Sequence, residues 1–154
     1  MCGIIAKIYL GEADIDVTND IEEMLSSLKH RGPDDEGYTV VDYEKNITHL
    51  SGDDSVSTWK ENTQHIRDYN QSGKQGKICL AHRRLSILDL TSAGHQPMSY
   101  LNERYIISFN GEIYNYVELK EELKQSGYSF GNDTDTEVIM AAYDRWGCEC
   151  SSKF

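Results

Sequence analysis

Positive charge is scarce in this sequence: 15 lysines and arginines stand against 26 aspartates and glutamates, a formal net charge of −11. Binding a phosphate-rich surface needs clustered Lys and Arg. The balance therefore argues against nucleic acid and an anionic membrane as partners, and serves solubility. No apolar run approaches the length that spans a bilayer. The start, Met1-Cys2-Gly3-Ile4-Ile5-Ala6-Lys7, is apolar but has no basic leading region and is interrupted at Lys7, so it does not read as a secretory signal. A cytoplasmic location is expected. The four cysteines, Cys2, Cys79, Cys148 and Cys150, form no CxxC pair, and Cys148 and Cys150 have no His-rich partner segment. That leaves no zinc pattern, so no metal site is expected, and a reducing compartment gives no disulfide framework. No internal repeat is visible.

What is present fits one domain with its own core: 154 residues, 38% of them hydrophobic, with 10 tyrosines. Residues 3–10 read as a buried, β-branched strand ended by Gly11. An amphipathic helix is expected over 19–29, with Ile21, Met24, Leu25 and Leu28 on one face and Asn19 with Glu22 as a capping box. Pro33 breaks it, and a strand follows at 37–43. Residues 44–76, rich in Ser, Asp, Asn, Gln and Gly and lacking a period, read as an exposed insertion with one short helix near Trp59–Tyr69. Lys77–Leu88 and Arg104–Phe109 read as strands. Asn115–Ser126 reads as a helix with Leu119 and Leu123 inward, Asn115 and Glu118 as its cap and Gly127 as its stop. Thr134-Asp135-Thr136-Glu137 spells a capping box opening a helix through Trp146, ended by Gly147. This order of elements predicts an α+β layered sandwich.

Four places carry chemistry. Removal of Met1 would leave Cys2 with a thiol and a free α-amine on one residue. An α-amine near pKa 8 is roughly matched to a thiol near 8.5, so a single residue could supply nucleophile and base; a structural cysteine in a buried strand is the alternative. Phe109-Asn110-Gly111-Glu112 ends a strand in a side-chain amide and a backbone N–H, the donors an oxyanion hole needs, or is an ordinary Asn-Gly turn. Ala81-His82-Arg83-Arg84-Leu85-Ser86 places arginines at a strand end, where one could grip a carboxylate bidentately or face solvent. In Thr134-Asp135-Thr136-Glu137, capping accounts for Glu137 but does not require Asp135, which could pair with an ammonium.

Together these segments resemble a known family. Met1-Cys2-Gly3-Ile4, His30-Arg31-Gly32-Pro33-Asp34, His82-Arg83-Arg84-Leu85-Ser86-Ile87-Leu88-Asp89, Gly94-His95-Gln96-Pro97-Met98, Phe109-Asn110-Gly111-Glu112-Ile113-Tyr114-Asn115 and Thr134-Asp135-Thr136-Glu137 occur in order. They are similar to the class II glutamine amidotransferase domain of asparagine synthetases, within the N-terminal-nucleophile hydrolases. Relatives that make aminosugars or phosphoribosylamine share the Cys-Gly-Ile start and the His-Arg-Gly turn. Pro33-Asp34, the Leu85–Asp89 run and Gly94–Met98 resemble the asparagine synthetase spelling. The resemblance implies a four-layer α/β/β/α sandwich, incomplete at its C-terminal side. It implies that Cys2 attacks the glutamine side-chain amide, and that Asn110 and Gly111 stabilise the oxyanion. Arg84 would hold the α-carboxylate with backbone groups around Leu85 and Ile87, and Glu112 and Asp135 would receive the α-ammonium. Arg31 takes a structural or loop-closing role.

Because the family continues beyond a segment like Cys150-Ser151-Ser152-Lys153-Phe154, a synthetase domain or partner chain is expected to complete the reaction. ATP and Mg would serve that domain, and no cofactor is expected in this chain. A homodimer is expected of the complete protein. The competing class is an inactive fragment or a non-enzymatic binding remnant. Ser51-Gly52-Asp53-Asp54-Ser55 resembles a pyrophosphate loop only faintly, because its two acidic residues would repel phosphate and no strand-to-helix context surrounds it.

Overall fold

The computed structural model describes residues 2–11, 16–86 and 92–154. Its elements run β1 (Gly3–Ile8), α1 (Ile21–Ser27), β2 (Asp35–Asp42), β3 (Ile47–Ser51), α2 (Ser57–Asn62), β4 (Gln64–His65), α3 (Ile66–Gln71), β5 (Gly76–Arg84), β6 (Met98–Tyr100), β7 (Tyr105–Ile107), α4 (Tyr116–Gln125) and α5 (Asp135–Trp146). Five strands form one sheet in the order β1-β5-β2-β3-β4, and β6 and β7 form a separate antiparallel pair. The α+β class expected from the sequence is the architecture observed.

Each sheet has its own core. Strand alternation sends Ile5 of β1, Tyr38 and Val40 of β2, and Cys79 and Ala81 of β5 to one face, where Ile21 and Leu25 of α1 close over them. The second cluster gathers Met98 and Tyr100 with Leu119 and Leu123 of α4 and Val138, Met140, Ala141 and Ala142 of α5. The two parts meet where the buried His82 Nδ1 lies 2.9 Å from Ser108 Oγ. The opposite face of β1 is less covered: Ile4 is 39% exposed and Ile8 56%, and Leu10 beyond it is 91% exposed.

Four expectations need correction. Residues 44–76 are not an exposed insertion. They contribute β3, α2, β4 and α3, and Leu50, Ile66 and Tyr69 are buried in the first core. Full burial of such a side chain contributes about 1.5–3 kcal/mol, enough to fold a segment whose remaining residues are polar. Asn19 and Glu22 do not cap α1. The Asp16 carboxylate binds the N–H groups of Thr18 and Gly76, each at 3.0 Å, and the helix begins after Asp20, held at φ 62° without a side-chain cap. Asn115 occupies the N-cap position of α4 but makes no side-chain cap bond; its Nδ2 donates to the Lys153 carbonyl. Strand β6 was not expected, and the strand read as Lys77–Leu88 ends at Arg84; Ile87 and Leu88 lie outside the described residues.

Candidate active site

The end of β5 supplies two arginines with opposite assignments. Arg83 turns toward α1. It donates to the Leu25 carbonyl at 3.3 Å, pairs with Glu36 at 2.8 Å and with Asp54 at 2.7 Å, and is buried. Hydrogen bonds from Lys29 and Arg83 hold the Asp54 carboxyl below its usual range. The Ser51–Ser55 stretch thus anchors this cluster, with Ser55 Oγ donating to the Glu36 carbonyl. Arg84, one residue on, faces the other way and lines a cleft of about 870 Å³. Its guanidinium lies so close to Gly94 that a Cβ there would sit 2.1 Å from it. Glycine is what lets the turn at 92–94 pack over the arginine.

Cys2 enters the same cleft from the start of β1. The Leu85 N–H points at its sulfur at 3.4 Å, and its own nitrogen donates to Asn110 Oδ1 at 3.2 Å. With Oδ1 engaged by that nitrogen, the Asn110 Nδ2 hydrogens are directed elsewhere. Arg31 Nε holds the Cys2 carbonyl at 3.1 Å, a positioning contact in keeping with its expected structural role. Among the four cysteines, all free, only Cys2 lines the cleft. Burial pushes the Cys79 thiol up to about 12, which leaves it inert.

The opposite wall comes from the residues before α5. Gly131, Asn132 and Asp133 line the cleft with Thr134, Asp135 and Thr136. Thr134 caps the helix, accepting from the Glu137 N–H at 3.4 Å. Glu137 does not return the bond as a capping box would. Its buried carboxylate instead accepts the N–H groups of Gly131 (2.9 Å) and Asn132 (3.0 Å). Lys120 secures the same loop through the Asn132 carbonyl and Asp133, both at 2.6 Å. Asp135 Oδ2 accepts the Ile113 N–H at 3.1 Å, tying α5 to the turn that carries Asn110, Gly111 and Glu112.

The cleft therefore brings together Cys2, Arg84, Leu85, Asn110, Gly111, Glu112 and Asp135, residues separated by as many as 133 positions in sequence. Ile87 lies outside the described residues. Reasoning from sequence overlooked the Gly131–Asp133 wall, although a Gly-Asn-Asp run just ahead of a helix cap is a loop signal. It also gave Gln96 no individual role, yet this buried side chain lines the cleft and its Oε1 accepts the Phe109 N–H at 2.6 Å. Among the described residues no group of three or more His, Cys, Asp or Glu side chains is arranged to hold a metal ion, and no helix is long and apolar enough to cross a membrane.

Comparison with known proteins gives the family of the sequence. The glutamine amidotransferase domain profile matches residues 51–154. The chain is 35% identical over 99% of its length to glutamine-hydrolyzing asparagine synthetase 1 of Bacillus subtilis, and spans 19% of that protein. It is 34% identical over its whole length to putative glutamine-hydrolyzing asparagine synthetase 2 of Methanocaldococcus jannaschii, spanning 26% of it. It is also 32% identical over 90% of its length to the isomerizing glutamine–fructose-6-phosphate aminotransferase of Francisella tularensis, spanning 21% of it. The chain thus spans 19–26% of the length of these relatives, and by its sequence it belongs to the glutamine amidotransferase domain family.

Proposed function

We propose that the chain hydrolyses the side-chain amide of L-glutamine to glutamate and ammonia, with Cys2 as the nucleophile after Met1 is removed. The observation that carries this is the convergence of Cys2, Asn110 and Arg84 in one cleft. No histidine is among the described residues lining that cleft, so the base is sought on Cys2 itself. Its α-amine takes the thiol proton as Sγ attacks the amide carbon. The ammonium so formed donates to Asn110 Oδ1, the partner that the Cys2 nitrogen has at 3.2 Å. Asn110 Nδ2 and the Gly111 N–H receive the oxyanion. On collapse the C–N bond breaks, the ammonium returns its proton to the departing nitrogen, and ammonia leaves behind a Cys2 thioester. Water, deprotonated by the same amine, attacks the thioester carbonyl, and glutamate and the free thiol are restored.

The substrate's amino-acid end is oriented by charge. Arg84 meets the α-carboxylate, assisted by backbone groups near Leu85, and Glu112 and Asp135 meet the α-ammonium. The names of the two asparagine synthetase relatives support a use for the ammonia: ATP-dependent amidation of aspartate or a related carboxylate, in a synthetase domain or a partner chain. The same reading implies a four-layer sandwich in which α1 and the five-stranded sheet form two layers and β6–β7 and the pair α4 and α5 form the others.

The test is ammonia release from glutamine with intact-mass measurement of the same sample. The mature chain should begin at Cys2, and Cys2→Ala should abolish hydrolysis while leaving glutamine binding measurable. Retained Met1 in an active sample, or hydrolysis by Cys2→Ala, refutes the assignment.

A further inference from the structure

We infer that Gln96 is a positioning residue for glutamine hydrolysis: its side-chain carbonyl fixes the Phe109 peptide and thereby aims the two oxyanion donors that follow it. The inference rests on the reading of the cleft given above and adds a residue to it.

The ladder between β6 and β7 ends at the pair Met98 and Ile107. Phe109 therefore lies beyond sheet pairing, and its N–H is bound by Gln96 Oε1 at 2.6 Å. A turn carrying two donors that must converge on one oxygen cannot rest on a peptide free to rotate, because small displacements of catalytic groups are costly. Gln96 is itself firmly seated, only 9% exposed. Its main-chain oxygen lies directly over Gly37 of β2, where any side chain would place a Cβ 2.3 Å from it. The preceding residue, His95, is hydrogen-bonded through Nδ1 to Asp35 at 2.8 Å and stacked on Trp59 with ring centroids 4.1 Å apart. The arm that presents Gln96 is thus clamped to β2 on one side and to the segment after β3 on the other. An uncharged amide suits the place, since it supplies an acceptor to Phe109 without adding negative charge beside a developing oxyanion.

The test compares wild type with Gln96→Met, which keeps length and removes the strong acceptor. Steady-state ammonia release should show kcat down by about 10- to 100-fold with KM within about threefold. Affinity for glutamate should stay at the wild-type value. Affinity for glutamate γ-semialdehyde, whose thiol adduct carries its oxygen in the oxyanion position, should fall by the same factor as kcat/KM. Combined with Asn110→Ala, the substitution should add little further loss, since both act through one donor pair. If Gln96→Met does not fold, Gln96→Asn, whose carbonyl falls one methylene short of Phe109, is read in the same way. Unchanged kcat, or a loss confined to KM and glutamate affinity, overturns the role of Gln96 alone. A wild-type chain that releases no ammonia overturns this inference together with the glutaminase reading.

Discussion

Two neighbouring residues, Arg83 and Arg84, should answer to different measurements. Arg83 neutralises Glu36, whose side chain is 4% exposed. Arg83→Ala leaves that carboxylate buried without its partner, a loss of about 3–5 kcal/mol, or roughly 6–20 °C in Tm for a chain of this size. Whatever fraction folds should bind glutamine with an ordinary KM. Arg84→Ala should do the reverse. It removes a charge-assisted contact worth on the order of 2–4 kcal/mol, or about 30- to 700-fold in KM, with a smaller change in Tm. Calorimetry alongside KM determinations separates the two, and an Arg84→Ala chain with normal KM would sink the carboxylate role. That a strand end carries two arginines is legible in the sequence. Which one meets the substrate is not, because period-2 alternation fixes that they oppose each other but leaves open which face packs against α1. Cys2, Asn110 and Asp135 are legible as residue types with a chemistry, whereas their meeting in one cleft is a product of tertiary folding.

At the scale of elements, the start of α5 joins helix stability to the cleft wall. Thr134→Ala removes an N-cap and should cost about 1 kcal/mol. Glu137→Ala should cost more, because two N–H groups, those of Gly131 and Asn132, lose their acceptor at about 1–3 kcal/mol each when no water replaces it. It should also raise KM, since the loosened loop lines the cleft. Urea unfolding and glutamine kinetics on both variants test the ranking; equal losses with an unchanged KM would show that Glu137 serves the helix alone. The helices α4 and α5 are readable in advance because Leu119, Leu123, Val138, Ala141 and Ala142 repeat at helical spacing on buried faces. Short elements offer no such repeat. The segment from β3 to α3 hides Leu50, Ile66 and Tyr69 among polar residues, so a period-based reading takes it for a loop. The three residues of β6 fail for the same reason.

For the whole molecule, the uncovered side of β1 governs behaviour in solution. This strand is an edge of its sheet, with Ile4, Ile8 and Leu10 exposed, and exposed apolar edges promote association. The isolated 154-residue chain should therefore self-associate in sedimentation velocity, and Ile8→Lys with Leu10→Lys should shift it toward monomer without lowering its unfolding midpoint. A wild-type chain that stays monomeric at high concentration contradicts this. The long separation between Cys2 and its partners also has a bearing on synthesis. Among the described residues the strand that begins beside Cys2 pairs only with β5, and Leu85 and Asn110, which close around the cysteine, follow it by 83 and 108 residues. At translation speeds of about 5–20 residues per second, Leu85 is made roughly 4–17 s after Cys2. During that interval the partners that close around Cys2 have not yet been made. On the proposed reading, removal of Met1 would thus precede the closure that shelters Cys2.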